Sequence, residues 1–148
     1  MFSTATKHSP SGEISYIVAN AGVARNDEVF SVDPEEPQKP RLDITETNLI
    51  GTLYTVKLAF HYFVKQNGST SSETQQDTCL VLIGSGAAFL DCPRGPQYSA
   101  SKWAMRGIMH SLRRTAYHYG SRVNVISPWF VFWSIVLLKA YISQVCRD

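Results

Sequence analysis

The stretch from Thr78 to Ile83, closed by Gly84-Ser85-Gly86, constrains this chain more than any other. It is a short apolar run bounded by Asp77 and Gly84, which suits a strand covered on both faces, as strands of a parallel sheet are. From Gln97 the period changes. Trp103, Met105, Ile108, Met109, Leu112 and Ala116 recur with helical spacing, predicting an amphipathic helix to about Tyr119 with Gly120 as its stop. Tyr98 and Lys102 stand four apart near its start, one above the other on one face.

That spacing has chemical meaning. A free phenol titrates near ~10, too high to exchange protons efficiently at neutral pH. An ammonium one turn away favours the phenolate. A serine hydroxyl at a strand end, such as that of Ser85, can hold a substrate oxygen beside the phenol. On spacing alone, a solvated helix face is the competing reading of the tyrosine–lysine pair.

The rest of the chain supplies a frame for these residues. Ile14–Ala19 reads as a strand closed by Asn20-Ala21-Gly22, where Gly22 can let backbone approach a ligand closely; an ordinary strand-ending turn is the alternative. Asp33 to Pro40 holds three prolines and is a surface loop. A long helix follows from about Thr45 or Thr47 to Gln66, with Leu49, Leu53, Val56, Phe60 and Phe63 on one side and Asn67-Gly68 as its stop. Asn48, in its first turn, fits a plain cap-region residue on local grounds. Ser69 to Asp77 is a polar loop, and Arg122 to Ser127 is a further strand. Strand, helix, strand, helix, strand implies an α/β fold: a parallel sheet with right-handed crossovers and ligands at its carboxyl edge, where Asn20, Ser85 and Pro128 would sit.

Ser85, followed thirteen residues later by Tyr98-Ser99-Ala100-Ser101-Lys102, resembles the active-site signature of the short-chain dehydrogenase/reductase family. Three further pieces agree in order: Asn20-Ala21-Gly22 after a strand, Asn48-Leu49-Ile50-Gly51 opening a helix, and Arg122-Val123-Asn124-Val125-Ile126-Ser127-Pro128 after the second helix. The resemblance runs from about Ile14 to Val131, and its texture is nearest to fungal members, many of which serve secondary metabolism. It covers only the second half of such an enzyme. The implied fold is therefore a partial Rossmann-type, doubly wound parallel sheet lacking the N-terminal glycine-rich βαβ unit. The implied activity is NAD(P)-dependent oxidation or reduction of a secondary alcohol or ketone. Tyr98 is then the general acid/base, Lys102 its electrostatic partner and a ligand of the nicotinamide ribose, Ser85 the group orienting the substrate oxygen, and Asn48 the residue completing a proton path. Asn20, Ala21 and Gly22 flank the cofactor with Tyr98 and Lys102, while Pro128 and Val131 reach the nicotinamide side. The alternative is a truncated, non-catalytic remnant or interaction partner that does not bind cofactor alone.

Two departures from the family pattern bear on this. The pyrophosphate of a dinucleotide normally sits on a glycine-rich turn at a helix N-terminus. Only Gly12 precedes Gly22, and Gly84-Ser85-Gly86 is followed by Phe89 where a third glycine belongs, so no such loop is legible and nothing selects NAD over NADP. At the other end Pro128 is followed by Trp129 instead of glycine, and Trp133 replaces a threonine.

Composition narrows what remains. The 148 residues give one domain's worth of chain, and a net charge of +2 from 14 basic and 12 acidic residues offers no basic stripe for nucleic acid. Three scattered cysteines (Cys79, Cys92, Cys146) and four scattered histidines make neither a disulfide framework nor a metal site, which fits a reducing, cytoplasmic setting. Residues 1–12 are polar and aperiodic, a disordered lead with no apolar signal core; 13–131 form the dinucleotide-binding portion; 132–148 form a divergent apolar tail. The apolar run from Trp129 to Leu138 ends at Lys139, too soon for a membrane span. The family resemblance also implies a small-molecule substrate and self-association through the two long helices.

Overall fold

Three parallel strands, β1 Tyr16–Ala19, β2 Thr78–Ile83 and β3 Ser121–Ile126, form the centre of the structure in the order β1-β2-β3. The structure is a computed structural model, and it describes residues 1–31 and 35–129. Val131 and the whole apolar tail of residues 132–148, Trp133 and Cys146 included, lie outside the described residues. Tyr16 pairs with Cys79 and Ala19 with Leu82, while Thr78 pairs with Ser121 and Ile83 with Ile126. All three strands therefore end at one edge.

β2 is the central strand, and its sequence shows why. Leu80 and Leu82 are fully buried on one side, with Cys79 and Ile83 buried on the other, as in a strand covered on both faces. The helices α3 (Gly51–Asn67) and α4 (Pro96–Tyr117) make the crossovers. Val56, Ala59 and Phe63 of α3 and Met105 and Ala116 of α4 join Ile17, Leu80, Leu82 and Val123 in one core. This is the parallel α/β architecture expected from the sequence, in part: among the described residues no glycine-rich strand–turn–helix unit precedes β1.

Several expectations need correction. Residues 1–12 are not without structure, because Phe2–His8 forms a short helix, α1, whose Phe2 ring stacks on Tyr62 at 5.4 Å. The first long helix starts earlier than expected, as α2 (Asp43–Thr45), and passes through a π-helical turn at Glu46–Ile50 before α3. Its buried stripe is Asn48, Thr52, Val56, Ala59 and Phe63, and Leu53 is 43% exposed. Small residues at positions 52 and 59 let this face lie close to the sheet, a gain that counting leucines does not reveal. On α4, Trp103 is 50% exposed, whereas Gln97, Ser101 and Lys102 are buried. Polar residues face inward there because each finds hydrogen-bonding partners: Gln97 on Asp27 and Arg41, Ser101 on Tyr98 and Asn48, and Lys102 on the last residue of β2.

The opposite edge is closed by side chains. Asn67, at the end of α3, donates to Gln76 O and Tyr119 O, both at 2.8 Å, so the Asn67-Gly68-Ser69 turn ties the loops before β2 and β3 together. Thr78 and Ser121 share a buried hydroxyl–hydroxyl bond of 2.7 Å. Among the described residues no helix is long and apolar enough to cross a membrane.

Candidate active site

The site forms where the three strands end. Gly84 N–H donates to Ile126 O and Gly86 N–H to Pro128 O, each at 2.8 Å, which carries the β2–β3 ladder past the strands. A Cβ on Gly84 would lie 2.6 Å from Ser127 Oγ and 2.9 Å from Val125 Cγ1, so only glycine lets the two segments run this close. Between the two glycines stands Ser85.

Ser85 closes a short turn, Gly86–Ala88. Its Oγ accepts from Ala87 N–H at 3.2 Å and its carbonyl from Ala88 N–H at 2.9 Å. A hydroxyl has one proton and two lone pairs. With a lone pair committed to the turn, the proton of Ser85 is the group it can offer to a ligand oxygen.

Helix α4 opens with Pro96 in its first turn, where the missing N–H costs nothing. Gln97 anchors it. Gln97 N–H donates to Asp27 Oδ2 at 2.7 Å, and its side-chain amide donates to Asp27 Oδ1 and Arg41 O, each at 2.9 Å, while accepting from Thr45 Oγ1 at 3.2 Å. Burial works against the Asp27 carboxylate, but the hydrogen bonds from Gln97, then Val29 and Tyr98, outweigh it and hold its pKa below the usual value. Neither Asp27 nor Gln97 is legible as a site residue in the sequence: they lie 70 residues apart, and no local pattern pairs them.

One residue on is Tyr98, and one turn later Lys102. Lys102 Nζ lies 5.7 Å from the Tyr98 ring centroid and donates to Ile83 O, the last carbonyl of β2, at 2.9 Å. Lys102 is only 8% exposed, and burial lowers its pKa from the ordinary lysine value. An ammonium has three donors; among the described residues, Ile83 O takes one.

Asn48 faces Lys102 from the π-helical turn. It is 2% exposed, its Oδ1 accepts from Val23 N–H at 2.7 Å, and its Nδ2 donates to Val23 O at 2.9 Å and Ser101 Oγ at 3.2 Å. One amide thus clamps the chain just after Asn20-Ala21-Gly22 and joins it to α4. Gly22 sits in the gap: a Cβ there would stand 3.3 Å from Asn48 Oδ1 and 3.6 Å from Lys102 Nζ.

The structure therefore brings together Gly22, Asn48, Tyr98 and Lys102, with Ser85 on the adjoining turn. Asn20 and Ala21 face elsewhere, lining a cavity of about 250 Å³ between β1 and α3. Pro128 contributes its carbonyl to Gly86, and the Trp129 ring covers Gly86 so closely that a Cβ would meet it at 3.0 Å. No cluster of metal-ligating side chains occurs among the described residues. Val23, Ser101 and the Ile83 carbonyl are the partners that sequence reasoning missed, because main-chain groups and a small polar residue carry no chemical signature.

Comparisons with known proteins point to one family. A family model described as short chain dehydrogenase matches residues 1–134. The 5'-hydroxyaverantin dehydrogenase of Emericella nidulans is 33% identical over 141 residues, covering 87% of this chain and 46% of that protein. An NADP-dependent dehydrogenase of Cochliobolus lunatus is 34% identical over 100 residues, covering 64% of this chain and 34% of that protein. Among solved structures, serine dehydrogenase from Escherichia coli superposes with a TM-score of 0.71 at 20% identity over 99% of this chain and 64% of that one, a likeness of fold. The chain spans less than half the length of these two curated relatives.

Proposed function

Because the chain belongs to the short chain dehydrogenase family, we propose that it carries the acid/base half of an NAD(P)-dependent oxidoreductase acting on a secondary alcohol or ketone, in fungal secondary metabolism. The observation that carries this reading is Lys102: an ammonium 8% exposed, held beside Tyr98 with a single carbonyl partner among the described residues. Burying a charge with incomplete hydrogen bonding is costly. Such a cost is characteristic of sites arranged for chemistry.

Tyr98 Oη takes the alcohol's proton during oxidation and returns one to the carbonyl oxygen during reduction. Lys102 stabilises the phenolate, the form of Tyr98 that accepts the proton in oxidation and is left behind in reduction. Ser85, its lone pair engaged by Ala87 N–H, donates its proton to the substrate oxygen and holds it beside Tyr98. Asn48 keeps the Asn20–Val23 turn against α4 and completes a proton path behind Lys102. A positioned acid/base contributes about 10²–10⁴ in rate.

The residues present fit one end of a dinucleotide. Gly22 leaves backbone open where a side chain would press on Lys102 and Asn48, so Gly22, Tyr98 and Lys102 would hold the nicotinamide ribose, with Asn20 and Ala21 toward the adenine side and Pro128 toward the nicotinamide; the sequence expectation for Val131 falls outside the described residues. When bound, the nicotinamide supplies a hydride acceptor or donor at C4. The pyrophosphate end has no counterpart of the usual kind, because among the described residues no glycine-rich turn joins a strand to a helix N-terminus ahead of β1. The name of the Emericella nidulans relative supports a hydroxyl-bearing substrate. The family's use of both nicotinamide cofactors leaves NAD and NADP as the two candidates.

A second reading is favoured by β1, whose outer edge carries no strand among the described residues. On that reading the chain is a non-catalytic partner that pairs with another subunit. Thermal unfolding with and without NAD(H) or NADP(H) separates the two. Ligand at a hundred times its Kd adds about 2.7 kcal/mol. A midpoint raised by one cofactor supports the oxidoreductase and names the cofactor; a midpoint indifferent to both favours the partner.

A further inference from the structure

We propose that Arg106 and Ser99 are positioning residues that fix the Ser85 turn relative to Tyr98, so that one helix sets the place of both hydroxyls. The consequence for turnover rests on the oxidoreductase reading above; the geometry does not. The turn Gly86–Ala88 leaves β2 with two carbonyls that α4 captures. Ser99 Oγ donates to Ala87 O at 3.1 Å, and Arg106 Nη1 donates to Ala88 O at 3.0 Å. Ser99 follows Tyr98 directly, and Arg106 lies seven residues beyond Ser99, two turns along the same face.

Two rings hold the arginine there. The Arg106 guanidinium carbon lies 4.3 Å from the Phe89 ring centroid and 5.0 Å from that of Trp103. A guanidinium can stack on rings through its faces while donating from its edge; a lysine ammonium reaches the carbonyl without the stack. Among the described residues no carboxylate pairs with Arg106, so its engagement is the carbonyl and the rings. The stack also accounts for Trp103 and Phe89, which stand half exposed and outside the core.

Ala87 links the clamp to the chemistry. Its N–H is donated to Ser85 Oγ while its C=O accepts from Ser99. Any shift of the turn therefore redirects the Ser85 hydroxyl, and misplacements of about 1 Å can cost on the order of 10²-fold in rate.

Arg106→Met keeps length and apolar contact but removes the donors; Ser99→Ala removes the other tie, and Arg106→Lys keeps the charge and a donor for Ala88 O without the stack. Amide hydrogen exchange on the full chain should show Ala88, Phe89 and Leu90 exchanging about tenfold faster in Arg106→Met, the expected effect of losing a charged hydrogen bond, with β2 and the interior of α4 unchanged. Steady-state assays with NAD(H) or NADP(H) and a panel of secondary alcohols and ketones should show kcat reduced about tenfold in Arg106→Met and Ser99→Ala. Cofactor KM should be unchanged, and Arg106→Lys should restore part of the loss. Unaltered exchange in both Arg106→Met and Ser99→Ala overturns the clamp. Faster exchange with wild-type kcat overturns the positioning role. A wild-type chain without turnover sinks the oxidoreductase reading, and exchange alone then decides the clamp.

Discussion

Lys102 Nζ donates to Ile83 O at 2.9 Å, so the helix that carries Tyr98 is pinned to the last residue of the central strand by its own charged group. The charge is held at a cost. Burial lowers the Lys102 pKa from its ordinary 10.5, so the unfolded chain binds the proton more tightly than the folded one. Stability from this group accordingly rises with pH in the window between the lowered folded value and 10.5, and the penalty is complete below that window.

Lys102→Met tests this directly. At pH 7 the variant should be no less stable than the wild type, with an expected gain of about 1 kcal/mol, in the range found when functionally costly residues are replaced. The advantage should shrink as the pH approaches 10.5. Urea unfolding of both chains across pH 7 to about 10.5 measures the difference; a variant that loses several kcal/mol at pH 7 would show that the carbonyl bond outweighs desolvation.

Asp27 predicts the opposite pH behaviour. Its folded pKa lies below the ordinary 3.8 because donors from Gln97, Val29 and Tyr98 outweigh burial. Its contribution is therefore present above pH 3.8 and is lost as pH falls through the folded value. Asp27→Asn removes the charge from two hydrogen bonds at the start of α4 and should cost about 1–2 kcal/mol at pH 7. The gap between variant and wild type should close below pH 3.8, which acid titration followed by circular dichroism would register.

These two residues mark how far the sequence could be read. β2, α4 and the pairing of Tyr98 with Lys102 were legible because each rests on local spacing: an apolar run, a helical period, four residues to a turn. Lys102 facing inward was not, because its partner is the Ile83 carbonyl, and every residue has a carbonyl. The π-helical turn that brings Asn48 to Val23 has no sequence signal of its own. On α3 the expected face holds at Val56 and Phe63, with Leu49 and Phe60 packed beside them, but Thr52 and Ala59 are buried for their smallness and Leu53, which has the better core side chain, is exposed. Asp27 and Gln97 meet only because the crossover folds back, a contact of tertiary origin.

Gly84 tests the closeness of the two strand ends. The Cβ of Gly84→Ala would stand 2.6 Å from Ser127 Oγ, which can rotate away, and 2.9 Å from Val125 Cγ1, which belongs to the sheet and cannot do so freely. Overpacking of this kind costs about 1–3 kcal/mol. Chemical denaturation should show that loss, and a further Val125→Ala change, by removing the obstructing methyl, should recover part of it. Failure of the second change to help would place the obstruction at Ser127 instead.

Tyr98 separates chemistry from structure. Its hydroxyl makes no hydrogen bond to a described residue, whereas its ring stands beside Lys102 and its carbonyl accepts from Ser101 Oγ at 2.7 Å. Tyr98→Phe keeps the ring and the carbonyl, so the unfolding midpoint should stay within about 0.5 kcal/mol of the wild type, as for substitutions away from packed features. Turnover of a secondary alcohol, the proposed reaction, should fall by about 10²–10⁴, the value of a positioned acid/base. Cofactor-induced stabilisation should survive, because the ribose contacts assigned to Lys102 remain. Turnover unaffected by the loss of this one oxygen would mean that the proton moves through another group, and Ser85, whose Oγ accepts from Ala87 N–H and keeps its proton to donate, is the residue to replace next.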